Sequence, residues 1–119
     1  MSEPNFKKLK VWQKAKDLAV FIYWLSDKGK ISKDYSLRDQ LRRAAVSMPS
    51  NIAEGDERET DKEAVRFFYI ARGSSAELIT QTIIAFEIGY INKEELNYIE
   101  TEALGISRML YRLIAARSK

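Results

Sequence analysis

Basic residues beside aromatic rings are the chemically suggestive combination in this 119-residue chain. Lys8 and Lys16 flank Trp12 at helical spacing, and Arg38, Arg42 and Arg43 fall outside the apolar arc of their own helix. Cations next to rings suit contact with an RNA backbone together with base stacking, although no signature of an RNA-binding module accompanies them. Basic residues also gather near both ends of the sequence. Lys7, Lys8, Lys10, Lys14 and Lys16 meet no acid after Glu3 until Asp17, while Arg108, Arg112, Arg117 and Lys119 follow the last acid, Glu102. The net charge is only +3, and the surplus lies in the first 59 residues, with 12 bases against 9 acids. Nucleic-acid contact is therefore assigned to Lys7, Lys8, Lys10, Lys14, Lys16, Arg38, Arg42, Arg108, Arg112 and Arg117. Neutralisation within the fold is the competing outcome, because Glu54, Asp56, Glu57, Glu59, Asp61 and Glu63 outnumber Arg58 and Lys62 in one connection.

Other chemistry is largely excluded. The chain has no Cys and no His, which removes disulfides, thiolate nucleophiles, Cys-ligated zinc and the commonest general base. Glu54 and Glu77 would hold Mg²⁺ only if a third acid joined them. No catalytic residue, metal or cofactor is assigned, and an enzyme is not expected. No apolar run approaches the roughly 20 residues that cross a bilayer, and no short apolar segment follows a basic start, so a cytoplasmic protein without membrane partners is expected.

The elements that must position these residues are helices. Five Gly and two Pro leave little material for the turns of a sandwich or barrel. Val11, Ala15, Leu18, Ile22 and Leu25 recur at helical spacing and predict a first helix over about 9–28, with Gly29 as its stop. Leu37, Leu41, Ala44, Met48 and Ile52 predict a second over 36–54, capped by Asp34 or Ser36 and kinked at Pro49. Thr60 with Glu63, and Asn92 with Glu95, read as capping boxes that open a third helix over 61–89 and a fourth over 93–117. Short connections favour antiparallel neighbours, so the expected fold is all-α, an antiparallel up-down-up-down four-helix bundle forming a single domain over 1–119.

One bundle core cannot absorb all of this apolar surface. Val20 and Trp24 point away from the core of the first helix, and Val65, Tyr69, Ala76 and Ile83 form a second stripe on the third. Aligned apolar stripes mark an interface more often than isolated exposed rings do, so these six are assigned to a homo-oligomer contact. Ser47, Asn51, Ser74 and Ser75 lie near the apolar arcs and read as register-fixing groups, with Gly73 and Ala76 letting backbones approach. Arg43 at the height of Glu77, and Glu54 at that of Arg66, are expected to form interhelical ion pairs.

Three segments carry a family resemblance: Phe6-Lys7-Lys8-Leu9-Lys10-Val11-Trp12-Gln13-Lys14-Ala15, then Leu41-Arg42-Arg43-Ala44-Ala45-Val46-Ser47-Met48-Pro49-Ser50-Asn51-Ile52-Ala53-Glu54-Gly55, then Ile70-Ala71-Arg72-Gly73-Ser74-Ser75-Ala76-Glu77-Leu78. Over roughly 6–91 the chain resembles the bacterial four-helix-bundle family encoded in intervening sequences of 23S ribosomal RNA genes, often labelled ribosomal. The resemblance implies a small basic bundle that assembles into a ring of five. The accessory protein of diversity-generating retroelements is similar, forms such a ring, and binds nucleic acid and a reverse transcriptase. Arg42, Arg43, Asn51, Glu54, Arg72 and Glu77 match the family motif, which carries no recognised catalytic residues. The expected function is that of a non-catalytic oligomer associated with RNA or other nucleic acid through a multivalent basic surface; the alternative is an adaptor whose apolar third-helix stripe takes a partner protein such as a polymerase.

Overall fold

Each helix begins or ends where a side chain can replace a lost backbone partner. The computed structural model describes residues 4–118; Lys119, the last of the basic residues noted above, lies outside them. Helix α1 spans Lys10–Leu25, α2 Tyr35–Asp56, α3 Asp61–Glu87 and α4 Lys93–Arg117, with 3-10 turns at Asn5–Lys8 and Lys30–Lys33. No strand occurs among the described residues. Asp34 caps α2 by accepting from the Leu37 amide at 3.2 Å. Asn92 and Glu95 exchange both bonds of a capping box at the start of α4. At α3 only the forward bond forms, from the Glu63 amide to Thr60 Oγ1 at 3.2 Å, and the Glu63 carboxylate meets the threonine hydroxyl instead.

Two helices stop earlier than their apolar spacing predicts. Helix α1 ends at Leu25 rather than near Lys28, because the buried Ser26 hydroxyl folds back to the Ile22 carbonyl at 2.6 Å and accepts from Arg42 Nε at 2.8 Å. Gly29, at φ +72°, then opens the turn that drops Ile31 into the core. Helix α3 ends at Glu87 rather than Gly89. Gly89 takes φ +84°, while Tyr90 donates to the Ala85 carbonyl and Gly89 to that of Phe86, which is the Schellman closure. Helix α2 extends one residue before and two beyond its expected range and runs through the buried Pro49 as one helix.

The four helices pack in chain order, α1 on α2, α2 on α3 and α3 on α4, and α4 returns to α1 across the thinnest seam, an arrangement consistent with a bundle. Leu18, Ile22, Leu41, Met48, Ile52, Phe68, Leu78, Ile99, Ile106 and Leu110 are fully buried between them. The buried serines, Thr82 and the half-buried Asn51 enter this interior paired. Ser74 Oγ meets Ser47 Oγ at 2.7 Å, Asn51 Nδ2 donates to Ser47 Oγ at 3.0 Å, and Ser75 donates to the Ala103 carbonyl at 2.9 Å. At the other seam position the Tyr90 hydroxyl donates to Asp34 at 3.0 Å, which pushes its pKa above the usual tyrosine value, with desolvation and the Asp34 charge adding to the shift.

The closest backbone approach is at Gly55, not at Gly73. A Cβ on Gly55 would lie 2.7 Å from Phe68 Cε1 and 3.0 Å from the Ala64 carbonyl oxygen, whereas one on Gly73 would meet nothing within 4 Å. Gly73 and Ala76 are in fact exposed. Gly55→Ala is therefore expected to destabilise the fold by about 1–3 kcal/mol through overpacking, and Gly73→Ala to stabilise it by up to about 1 kcal/mol. Urea unfolding at one protein concentration checks both, and a Gly55→Ala variant as stable as the native chain would remove the close-approach account.

Candidate nucleic-acid interface

The fold divides the ten assigned cations into those it neutralises and those it leaves facing water. Arg38 donates through Nε to Asp39 at 3.0 Å and through Nη1 to the Ser32 carbonyl at 3.2 Å, and lies 4.7 Å from the Tyr35 ring. Arg42 binds Ser26, sits 3.8 Å from Asp27 and stacks 4.5 Å from Tyr23. Both belong to the α1–α2 joint. Arg117 reaches Asp56 at 3.1 Å and Asp61 at 3.7 Å, tying the end of α4 to the α2–α3 joint, and Lys16 pairs with Asp17 at 2.7 Å. Lys7 is exposed on the first 3-10 turn, where its carbonyl accepts from Gln13. Lys8, Lys10, Lys14, Arg108 and Arg112 are exposed and make no ion pair within 4 Å among the described residues.

Three of these unpaired cations, Lys14, Arg108 and Arg112, come together, and a fourth cation, Arg72, joins them. A shallow depression of about 360 Å³ is lined by Arg72, Ser107, Arg108, Tyr111 and Arg112. Its neighbour, of about 220 Å³, is lined by Lys14, Thr101, Glu102, Gly105, Arg108, Met109 and Arg112. Arg108 and Arg112 line both, so a cationic band runs from α3 across α4 to α1. Arg72 is steadied by Ser107 Oγ, 3.4 Å from its Nε, and by the Tyr111 ring, whose centroid lies 5.5 Å from the guanidinium carbon. Glu102 is the one carboxylate lining either depression. Its charge is also felt at Tyr98, which packs on Phe21; burial raises the Tyr98 pKa first, and the Glu102 and Asp17 carboxylates add to the shift.

Sequence reasoning passed over Arg72, Ser107 and Tyr111 as members of this face. The available signal was Arg108, Tyr111 and Arg112 at i, i+3 and i+4, which share one side of a helix. The Trp12 platform, by contrast, is half-buried, with Phe6 edge-on against it at 5.2 Å. Of the six assigned interface residues, Val20, Trp24, Tyr69 and Ala76 are exposed, and Trp24 is 68% accessible. Val65 and Ile83 are half-buried against the core, and Val65 shares a depression with Arg117 and Ser118 at the end of α4. Ile70, Ile84, Ile88 and Leu104 are exposed apolar residues that the stripe did not include.

The expected interhelical ion pairs do not form. Glu54 pairs with Arg58 in its own chain direction at 2.8 Å rather than with Arg66. Arg43 and Glu77 share a depression of about 310 Å³ with Gln40, Ser47 and Gln81 but lie beyond 4 Å of an ion pair, and Gln81 Oε1 is buried there without a hydrogen-bond donor. Among the described residues no three acids gather to hold a metal ion.

A family model described as 23S rRNA-intervening sequence protein matches residues 7–112. No curated protein matches the chain. In structure the chain is similar to a protein of unknown function from the S23 ribosomal protein family of Bacteroides thetaiotaomicron, with a TM-score of 0.80 and 21% identity, over 87% of this chain and 97% of that one.

The division of cations has a stability signature. Arg117→Ala strips the partner from Asp56, whose side chain is only 10% exposed, and is expected to cost about 1–3 kcal/mol. Arg112→Ala removes no partner and should stay within about 0.5 kcal/mol of the native chain. Equal unfolding midpoints for the two variants would contradict the assignment.

Proposed function

We propose a function from one premise: the chain belongs to the 23S rRNA-intervening sequence protein family. It acts as a non-catalytic, RNA-associated homo-oligomer that meets the phosphate backbone through the band formed by Lys14, Arg72, Arg108 and Arg112. The observation that carries this reading is that these four cations converge on one face with a single carboxylate among their neighbours. One subunit offers a weak site; copies held together align several, and avidity grows without new contacts. No described helix is long and apolar enough to cross a membrane, and the reading takes the protein as cytoplasmic.

The reading takes the chain as one domain wound antiparallel, up-down-up-down. Support comes from its joints: Tyr90 just beyond α3 meets Asp34 at the start of α2, and Arg117 at the end of α4 meets Asp61 at the start of α3. It takes the oligomer as a ring of five, the number that the family resemblance implies; the exposure of Val20, Trp24, Tyr69 and Ala76 supports a contact between copies. A second reading, an adaptor for a protein such as a polymerase, is favoured by the depression of about 350 Å³ between α3 and α4, where Tyr69, Ala76 and Leu104 stand exposed. Capture of that partner would survive nuclease and be lost in Tyr69→Asp.

Binding to a structured RNA at about 50 and 200 mM salt tests the first reading. The slope of log affinity against log salt should fall by about 1.4–1.8 per engaged subunit in the Arg108→Ala/Arg112→Ala double variant, two phosphate contacts' worth. Indifference to RNA at the lower salt would sink it. Light scattering tests the assembly: the expected mass is five times the 13.8 kDa subunit, reduced by Trp24→Glu, and a single copy at micromolar concentration would end the ring.

A further inference from the structure

We propose that the depression lined by Arg72, Ser107, Arg108, Tyr111 and Arg112 is a subsite for one unpaired nucleotide of an RNA strand, with the base stacked on Tyr111 and the adjoining phosphate held by Arg108 and Arg112. This rests on the RNA reading above and narrows it to a class of RNA.

Among the described residues there are six cation–ring contacts, and their chemistry separates one from the rest. Arg38 over Tyr35, Arg42 over Tyr23, Arg58 over Phe67 and Arg117 by Phe68 each have a carboxylate partner, respectively Asp39, Asp27, Glu54 and Asp56. Lys93 lies over Phe86, which is half-buried. Arg72 and Tyr111 alone combine an arginine lacking an ion-pair partner among the described residues with a ring that is 62% exposed. One side of the Tyr111 ring is covered by Arg72, itself held by Ser107, so the ring is positioned before any ligand arrives. Arg108 and Arg112 flank it on the same side of α4 with no ion-pair partner within 4 Å.

The volume of about 360 Å³ lies at the small end of ligand sites, which run from about 300 to 1,000 Å³. A paired base cannot use this site. In an A-form duplex each base face is already stacked on its neighbours, and only loops, bulges and ends present a free face to an aromatic ring. Arginines alone would read the backbone of either form equally. A tyrosine set between them converts a general phosphate contact into a preference for unpaired strand.

The test compares a hairpin whose loop carries 2-aminopurine with a blunt duplex of the same number of phosphates, at one low salt concentration. The native chain should prefer the hairpin and quench the loop fluorophore. Tyr111→Leu, a good helix former at an exposed position, should weaken hairpin binding by about 5- to 150-fold, abolish the quench and leave duplex binding and the salt slope unchanged. Tyr111→Phe should restore both affinity and quench. Equal binding of the two RNAs by the native chain, an unaffected hairpin affinity in Tyr111→Leu, or an equal loss on both RNAs would overturn the subsite while leaving the RNA reading in place. Failure of the native chain to bind either RNA would remove that reading and the subsite together.

Discussion

The acids of this protein concentrate at the joints between helices, and that distribution decides what each arginine is for. Asp27 and Asp34 flank the α1–α2 connection, and Asp56 and Asp61 flank the α2–α3 connection. An arginine within reach of a joint is drawn into the fold: Arg42 closes one and Arg117 the other. Arg112 and Arg108, roughly one and a half and two and a half turns short of Arg117, face outward where no acid follows Glu102, and neither has an ion-pair partner among the described residues. Net charge, at +3, says little about this. A nearly balanced chain carries a cationic face because its anions are used elsewhere.

Much of this was legible in the residues, and the failures have physical causes. Helix α4 matched its expected range because both its cap and its apolar repeat are local signals. Helix α1 fell short by three residues because its terminator is tertiary, a serine hydroxyl held between its own turn and an arginine 16 residues away. Val65 and Ile83 read as outward-facing because a helical wheel knows the direction of one core, whereas α3 packs on both α2 and α4 and buries a wider arc. Arg43 and Glu77 were matched by height along the axis, and they do line one depression, but height does not fix the distance across it. Tyr111 was overlooked because the ring stands outside the repeat that identified its helix, and its significance depends on Arg72, 39 residues earlier in the chain.

Small and polar residues set how near the helices stand. Gly55 admits the edge of Phe68, and Ser47, Ser74 and Asn51 replace what would otherwise be apolar contact with a chain of hydrogen bonds. Hydrogen bonds are directional where hydrophobic contact is not, so such a chain fixes sliding of α2 against α3. The α3–α4 pair has its own marker in the Ser75 bond to Ala103. The arginine, serine and tyrosine of the outward depression are thus carried on two rods whose relative height is pinned from within.

The α1–α4 seam is built differently, and Lys14 is the band's only member on its far side. It is the least extensive of the seams between neighbouring helices, which makes it the one that local opening widens at least cost. Arg72, Arg108 and Arg112 stand on the pinned α3–α4 pair, while Lys14 lies across the thinner seam. On the proposed RNA reading the three arginines would fix a spacing of phosphate contacts, and the lysine, an ammonium on a flexible stem, would adjust to a strand whose phosphates are irregularly spaced.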